Sequence, residues 1–208
     1  MTPRAKTEEA TEASDGRPLR RARNHAAIVD AVYELVRERG EFPSVGEVAA
    51  RAGVGERTIF RQFQDVETLA RSIQERLLPE VMSLARLRPP TGDLADDLEA
   101  LIARRVRVFE HIAPFQRASR GVRATSPFMS QQDAAWAATM RMMLESVLAP
   151  HLDRRDAELL EVIDVLLSFD SWERLRTVQR LDRAHAQRVL ERGVFALLSA
   201  RHPKKGPG

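Results

Sequence analysis

From Ile28 to Leu198 the apolar residues of this 208-residue chain recur at three- and four-residue spacing, and no stretch alternates with period two. A half-buried strand needs alternating faces, whereas three- and four-residue spacing builds one face of a helix. The expected fold class is therefore all-α. At 43% hydrophobic content the chain can bury a real core. It contains no cysteine, which excludes disulfide frameworks, thiolate zinc sites and cysteine nucleophiles and fits a reducing, cytoplasmic setting. No apolar run approaches the roughly 18 to 20 residues that span a bilayer, so no membrane partner is expected. Met1 to Asp15 is acidic and polar where a secretory leader is basic and then apolar.

Residues 1–18 lack apolar periodicity and are expected to form a disordered arm, with 203–208 a flexible tail. The first helix is expected from Asn24, a candidate N-cap, through Ile28, Val32, Leu35 and Val36 to Gly40. Ser44 and Glu47 make a capping box that opens a short second helix, which Gly53 stops. A third runs from about Glu56 to Phe63, and a fourth follows Asp65 and meets Pro79, where a kink or interruption is expected. Later helices are expected over about 93–111, after Pro114, from Ser126-Pro127 to about Leu148, over 156–175 and over 182–200.

The segment Ser44 to Phe63 has helix-turn-helix spacing: a capped two-turn helix, the Gly53-Val54-Gly55 turn, and a second short helix with Ile59 and Phe63 on its inner edge. Such a pair can project its second helix into a major groove, and it can also be a scaffold that never touches DNA. Global charge does not decide between these, because residues 1–76 carry 13 basic and 13 acidic side chains. Local charge is more informative. Arg17, Arg20, Arg21 and Arg23 form a cationic cluster with no acid among them.

Ile28-Val-Asp-Ala, Gly40, Ser44-Val, Val48-Ala, Ala52-Gly-Val54, Thr58-Ile-Phe-Arg-Gln-Phe63 and Glu67-x-Leu69 resemble the N-terminal signature of the TetR family of bacterial transcriptional regulators. The resemblance covers residues 24–70 without an insertion. It implies a helix-turn-helix DNA-binding domain over 19–65 and a helical effector-binding and dimerisation domain over 66–202. It also implies a homodimeric repressor, cytoplasmic and nucleoid-associated when bound to a pseudopalindromic operator, and released by a small effector. The sequence departs from the family pattern in its contact residues. Phe60 stands where Tyr is usual, Gln62 where His is common, Gly55 where Ser is common and Val66 where Lys is frequent.

Residues 57, 58, 61 and 62 lie away from the Ile59/Phe63 edge. Arg57 and Arg61 are candidates for guanine or phosphate, Gln62 for adenine, and Thr58 for phosphate or a thymine methyl. Glu56 either accepts from a cytosine or favours the helix N-terminus. Ser44, Gly55 and Phe60 complete the recognition segment, with Arg20, Arg21 and Arg23 as an arm toward the minor groove or backbone.

The second half concentrates aromatic and flexible side chains, of which Phe109, Phe115, Trp136, Met140, Met143, Phe169 and Trp172 are candidates to line a cavity for a hydrophobic or aromatic effector. Packing of the core is the other reading of each. Helices over 156–175 and 182–200 are the expected dimer interface, the former because it is apolar on nearly every side and must be buried all round, the latter through Val189, Leu190, Val194, Leu197 and Leu198. Gly193 allows close helix approach or is a tolerated loss.

Catalysis is not expected, nor a metal or cofactor. The five histidines are scattered without metal-ligand spacing, no glycine-rich phosphate loop occurs, and acidic pairs such as Asp96-Asp97 read as a solvated helix face. Two alternatives remain: an interaction protein whose helix-turn-helix is only a scaffold, and a DNA-binding regulator without a sensor.

Overall fold

A computed structural model describes residues 8–86, 89–123, 125–151 and 157–200. Among these there is no strand. The helices are α1 (Glu8–Arg39), α2 (Val45–Ala52), α3 (Glu56–Gln62), α4 (Val66–Leu84), α5 (Leu94–Ala118), α6 (Arg120–Arg123), α7 (Pro127–Leu148), α8 (Ala157–Leu166), α9 (Phe169–Glu173) and α10 (Arg183–Ala200), with a π turn over Arg174–Val178. No described helix is long and apolar enough to cross a membrane. The described residues form two compact units, one reaching to Pro79 and taking in Pro114–Ser126, the other holding Glu80–Ala113 and everything from Pro127 onward. The expected tail over 203–208 lies outside the described residues.

In the first unit the apolar stripe of α1, Ile28, Val29, Val32, Leu35 and Val36, packs with Val48 and Ala49 of α2 and with Ile59 and Phe63 at α3 into one buried cluster. Local chemistry sets the boundaries. Gly40 takes a left-handed φ of 70° and its amide donates to the Val36 carbonyl at 2.7 Å, which ends α1. Ser44 Oγ accepts from the Glu47 amide at 3.3 Å while Glu47 Oε2 accepts from the Ser44 amide at 2.8 Å, completing the capping box. Gly53, at φ 65°, turns the chain toward α3. Asp65 Oδ1 accepts from the Thr68 amide at 2.6 Å and opens α4.

The Arg39 guanidinium, followed by the backbone and hydroxyl of Ser44, holds the exposed Glu47 carboxyl down from 4.5 to about 2. A depressed carboxylate stabilises the fold above its unfolded value, and that stabilisation is lost as pH falls from about 4.5 toward 2. Ser44→Ala should lower unfolding free energy by about 1 kcal/mol, measured by urea denaturation at neutral pH. The difference between wild type and Ser44→Ala should narrow in acid as Glu47 loses its charge.

The first helix departs from expectation. Asn24 does not cap it: α1 begins at Glu8, within the segment read as a disordered arm, and continues through Pro18 and Asn24. Leu19, Arg20, Arg21, Ala22 and Arg23 are all good helix formers, so the helix propagates backward past a residue whose capping preference is realised only where the preceding turn is not helical.

Pro79 of α4 and Pro114 of α5 sit inside continuous helices instead of interrupting them. Asp97 corrects the reading of a solvated acidic pair: it is 8% exposed, and its carboxylate accepts from the Thr91 amide at 2.8 Å, the Thr91 hydroxyl at 3.0 Å and the Gly92 amide at 3.2 Å. It thereby satisfies the buried donors of the loop before α5. Asp96 remains exposed.

The expected single helix over 156–175 is broken at Leu167-Ser168. Ser168 Oγ accepts from the Ser171 amide at 3.2 Å and caps α9. Arg105, only 3% exposed, reaches across from α5: Nη1 donates to the Leu167 carbonyl at 2.8 Å, Nη2 to the Met140 carbonyl, and Asp164 lies 3.6 Å away. The guanidinium satisfies the carbonyl that the break exposes. Burial pushes it down to about 10, opposed by Asp164, so it stays cationic at neutral pH.

Within the single chain α8 is buried on one side only. Ile163 is enclosed, while Val162 and Val165 are 49% and 68% exposed. In α10, Leu190 and Val194 are buried within this chain and so do not face outward as expected. Gly193 brings α10 close to α8: a Cβ there would stand 2.8 Å from Leu166 Cδ2.

Candidate nucleic-acid interface

α3 turns Ile59 into the core, with Phe63 closing its C-terminal end, and this leaves the opposite face in solvent. Arg57, Phe60 and Arg61 are exposed there, while Thr58 and Gln62 are half-buried. Phe60 is 63% exposed and Val66, at the start of α4, is 52% exposed. An exposed ring on a short helix adds nothing to the core, and it offers an apolar surface to thymine methyls or deoxyribose.

Four cations of this unit are held by carboxylates. Arg51 pairs with Glu34 at 3.2 Å and Glu38 at 3.1 Å, Arg76 with Asp30 at 3.0 Å, Arg71 with Glu67 at 3.7 Å, and Arg39 with Glu47. Arg57 and Arg61 on α3, and Arg20, Arg21 and Arg23 on α1, are exposed and make no ion pair among the described residues. The basic residues of this unit thus include a set held by carboxylates and a set of exposed guanidinium groups on α3 and α1 that make no ion pair among the described residues.

These two groups of arginines are physically joined. Gln62 Nε2 donates to the Arg21 carbonyl at 3.0 Å, tying the end of α3 to the basic stretch of α1. His25 stacks on Phe63 with ring centroids 4.8 Å apart and lies 3.4 Å from Ser72 Oγ, reinforcing the same junction. Gln62 therefore acts on α3 as a tether, and one of its amide hydrogens is committed. A partner 41 residues away leaves no local signal in the sequence.

Other expected contact residues are arranged as follows. Ser44 Oγ donates to Glu47 Oε2 at 2.8 Å, so its hydroxyl hydrogen is already used. Glu56 Oε1 lies 3.3 Å from where a Cβ on Gly46 would stand, folded over the first turn of α2, the favourable end for an anion. Gly55 has extended backbone and caps α3 without a side chain.

The residues expected to line an effector cavity fall in both units. Phe115 belongs to the first unit and packs on Tyr33, with centroids 4.9 Å apart. Phe109, Met140 and Trp172 are buried in the second unit, where Phe169 meets Phe109 edge-on at 5.8 Å and Trp136 and Met143 are half-buried. Trp172 Nε1 donates to Glu110 Oε1 at 3.1 Å, an oxygen it shares with Arg176 Nε at 2.9 Å. Among the described residues no group of histidines and carboxylates is placed to hold a metal ion.

No protein-family model matches the chain, and no curated protein does. Solved structures do. A TetR-family transcriptional regulator from Streptomyces coelicolor superposes with a TM-score of 0.66 at 19% identity, over 85% of this chain and 81% of that one. A transcriptional regulator from Rhodococcus sp. Rha1 superposes with a TM-score of 0.64 at 20% identity, over 85% of this chain and 96% of that one. The helix-turn-helix followed by a helical body is thus an arrangement found in solved regulators, and the chain has the fold of TetR-family transcriptional regulators.

Proposed function

We propose that this chain is a cytoplasmic, sequence-specific DNA-binding transcriptional regulator of the TetR family, acting as a homodimeric repressor. The observation that carries the reading is the exposed charge on α3 and the adjoining stretch of α1: Arg57, Arg61, Arg20, Arg21 and Arg23 make no ion pair among the described residues, while Arg39, Arg51, Arg71 and Arg76 are each held by a carboxylate. Unpaired guanidinium groups displace counterions from phosphate without first breaking internal pairs, and on α3 they can form bidentate bonds to guanine. Arg57 and Arg61 are assigned to bases or phosphate, Arg20, Arg21 and Arg23 to the backbone. Gln62 positions α3 and is not assigned to adenine.

Dimerisation is assigned to α8 and α10. Val162 and Val165 are exposed on α8, beside half-buried Leu159, Leu160 and Leu166, and a second copy of the same face would bury them in a four-helix bundle. A two-fold dimer reads two half-sites about one helical turn apart, or a multiple of it. Selection from a random duplex pool should enrich an inverted repeat. Enrichment of nothing would remove the regulator reading, and enrichment of a single unrepeated site would remove the dimer.

A further inference from the structure

The second unit contains a cleft of about 510 Å³ lined by Arg86, by Asp96, Glu99, Ala100, Ala103, Arg104 and Arg107 on one face of α5, and by Gln187 and Glu191 of α10. None of the aromatic residues expected to hold an effector lines it. Ala100 and Ala103 leave room on its floor, where larger side chains would close it. Arg104 is 5% exposed and is held by a bond from Nη1 to the Arg86 carbonyl at 3.3 Å. Glu191 accepts from Gln187 Nε2 at 2.8 Å and is oriented by it.

The charges of the lining are separated along α5. Asp96 and Glu99 stand at the N-terminal end, Arg104 and Arg107 toward the other, with a rise of about 12 Å between Glu99 and Arg107. Asp96, Glu99, Arg86 and Arg107 make no ion pair among the described residues. Three arginines face three carboxylates, so the cleft as a whole is neutral and favours neither a simple anion nor a simple cation. A hydrocarbon would strip water from these charges without replacing it.

We propose that this cleft binds a small dipolar molecule, with its carboxylate or comparable anion at Arg104 and Arg107 and its ammonium group at Asp96 and Glu99. The class it fits is a short peptide or amino-acid derivative whose opposite charges lie about 10 Å apart, the span of three extended residues. Such a ligand pairs with both ends at once, and each charged end contributes separately to affinity. This site is independent of the DNA-binding reading, and its test contains no DNA.

The probe is triglycine, titrated calorimetrically into the full chain at low ionic strength. Triglycine should bind, and both N-acetyltriglycine and triglycine amide should bind about tenfold more weakly, the loss of one charge-assisted contact. Glu99→Gln should abolish the difference between triglycine and its acetylated form, and Arg107→Gln the difference between triglycine and its amide. Both residues are exposed, so melting curves of the variants should match wild type. Absence of triglycine binding would overturn the proposal. So would capped peptides that bind as well as the free one, or inorganic phosphate that binds as tightly, which would reduce the cleft to an anion site.

Discussion

Replacing Arg57 or Arg61 with alanine should lower affinity for the selected duplex about ten- to hundredfold, with no change in thermal stability. Both side chains are exposed and without an ion pair among the described residues, so removing them takes nothing from the fold. The size follows from about 1 to 3 kcal/mol for a bidentate guanidinium contact to a base edge. The pattern of loss separates two roles. A base contact, once removed, relaxes preference at one position of the half-site. A phosphate contact weakens every sequence alike and lowers the salt slope by about one. Arg51→Ala serves as the contrast, because its guanidinium is already held by Glu34 and Glu38, and DNA affinity should hardly change.

The largest effect on stability is expected at Arg105. Its guanidinium links α5 to the carbonyls of Met140 and Leu167 and to Asp164, with almost no exposure to water. Arg105→Leu leaves the Leu167 carbonyl without this donor, takes a second donor from the Met140 carbonyl inside α7 and leaves Asp164 with Arg141 4.0 Å away, and should cost about 3 kcal/mol, seen as a lower urea midpoint. That lies at the low end of the range for broken buried pairs, because Asp164 is 27% exposed and water can reach it. Arg105→Lys keeps the charge but cannot span both carbonyls with one planar group, so it should fall between the two. A leucine variant within about 0.5 kcal/mol of wild type would mean that the break between α8 and α9 does not depend on this residue.

Features governed by neighbouring residues were legible in the sequence. The capping box at Ser44 and Glu47, the left-handed glycines at 40 and 53, the Asp65 cap and the Ser126-Pro127 opening of α7 are each decided within a few residues, and each stands in the structure. Features decided by distant partners were not. Asp97 reads as surface until the Thr91-Gly92 loop folds over it, and nothing in the residues around Arg105 marks it for burial, which depends on the carbonyls of Met140 in α7 and of Leu167 beyond α8. Ser168 could have been read as a cap, yet the apolar run around it hid the break. Pro114 shows the reverse: its local preference for ending a helix yields to packing, and α5 continues to Ala118. On α3 the exposed residues were legible but one contact was not, since the bond from Gln62 to Arg21 gives a residue expected to read a base a tethering contact within the fold.

The exposed arginines of α3 are assigned to a particular DNA sequence, not to DNA in general. The direct measurement is the dissociation constant of wild-type protein for the selected duplex and for a scrambled duplex of the same composition, both at about 150 mM salt. The selected duplex should bind at least about a thousandfold more tightly, the ordinary margin between specific and non-specific binding. Equal affinity for the two duplexes would contradict it.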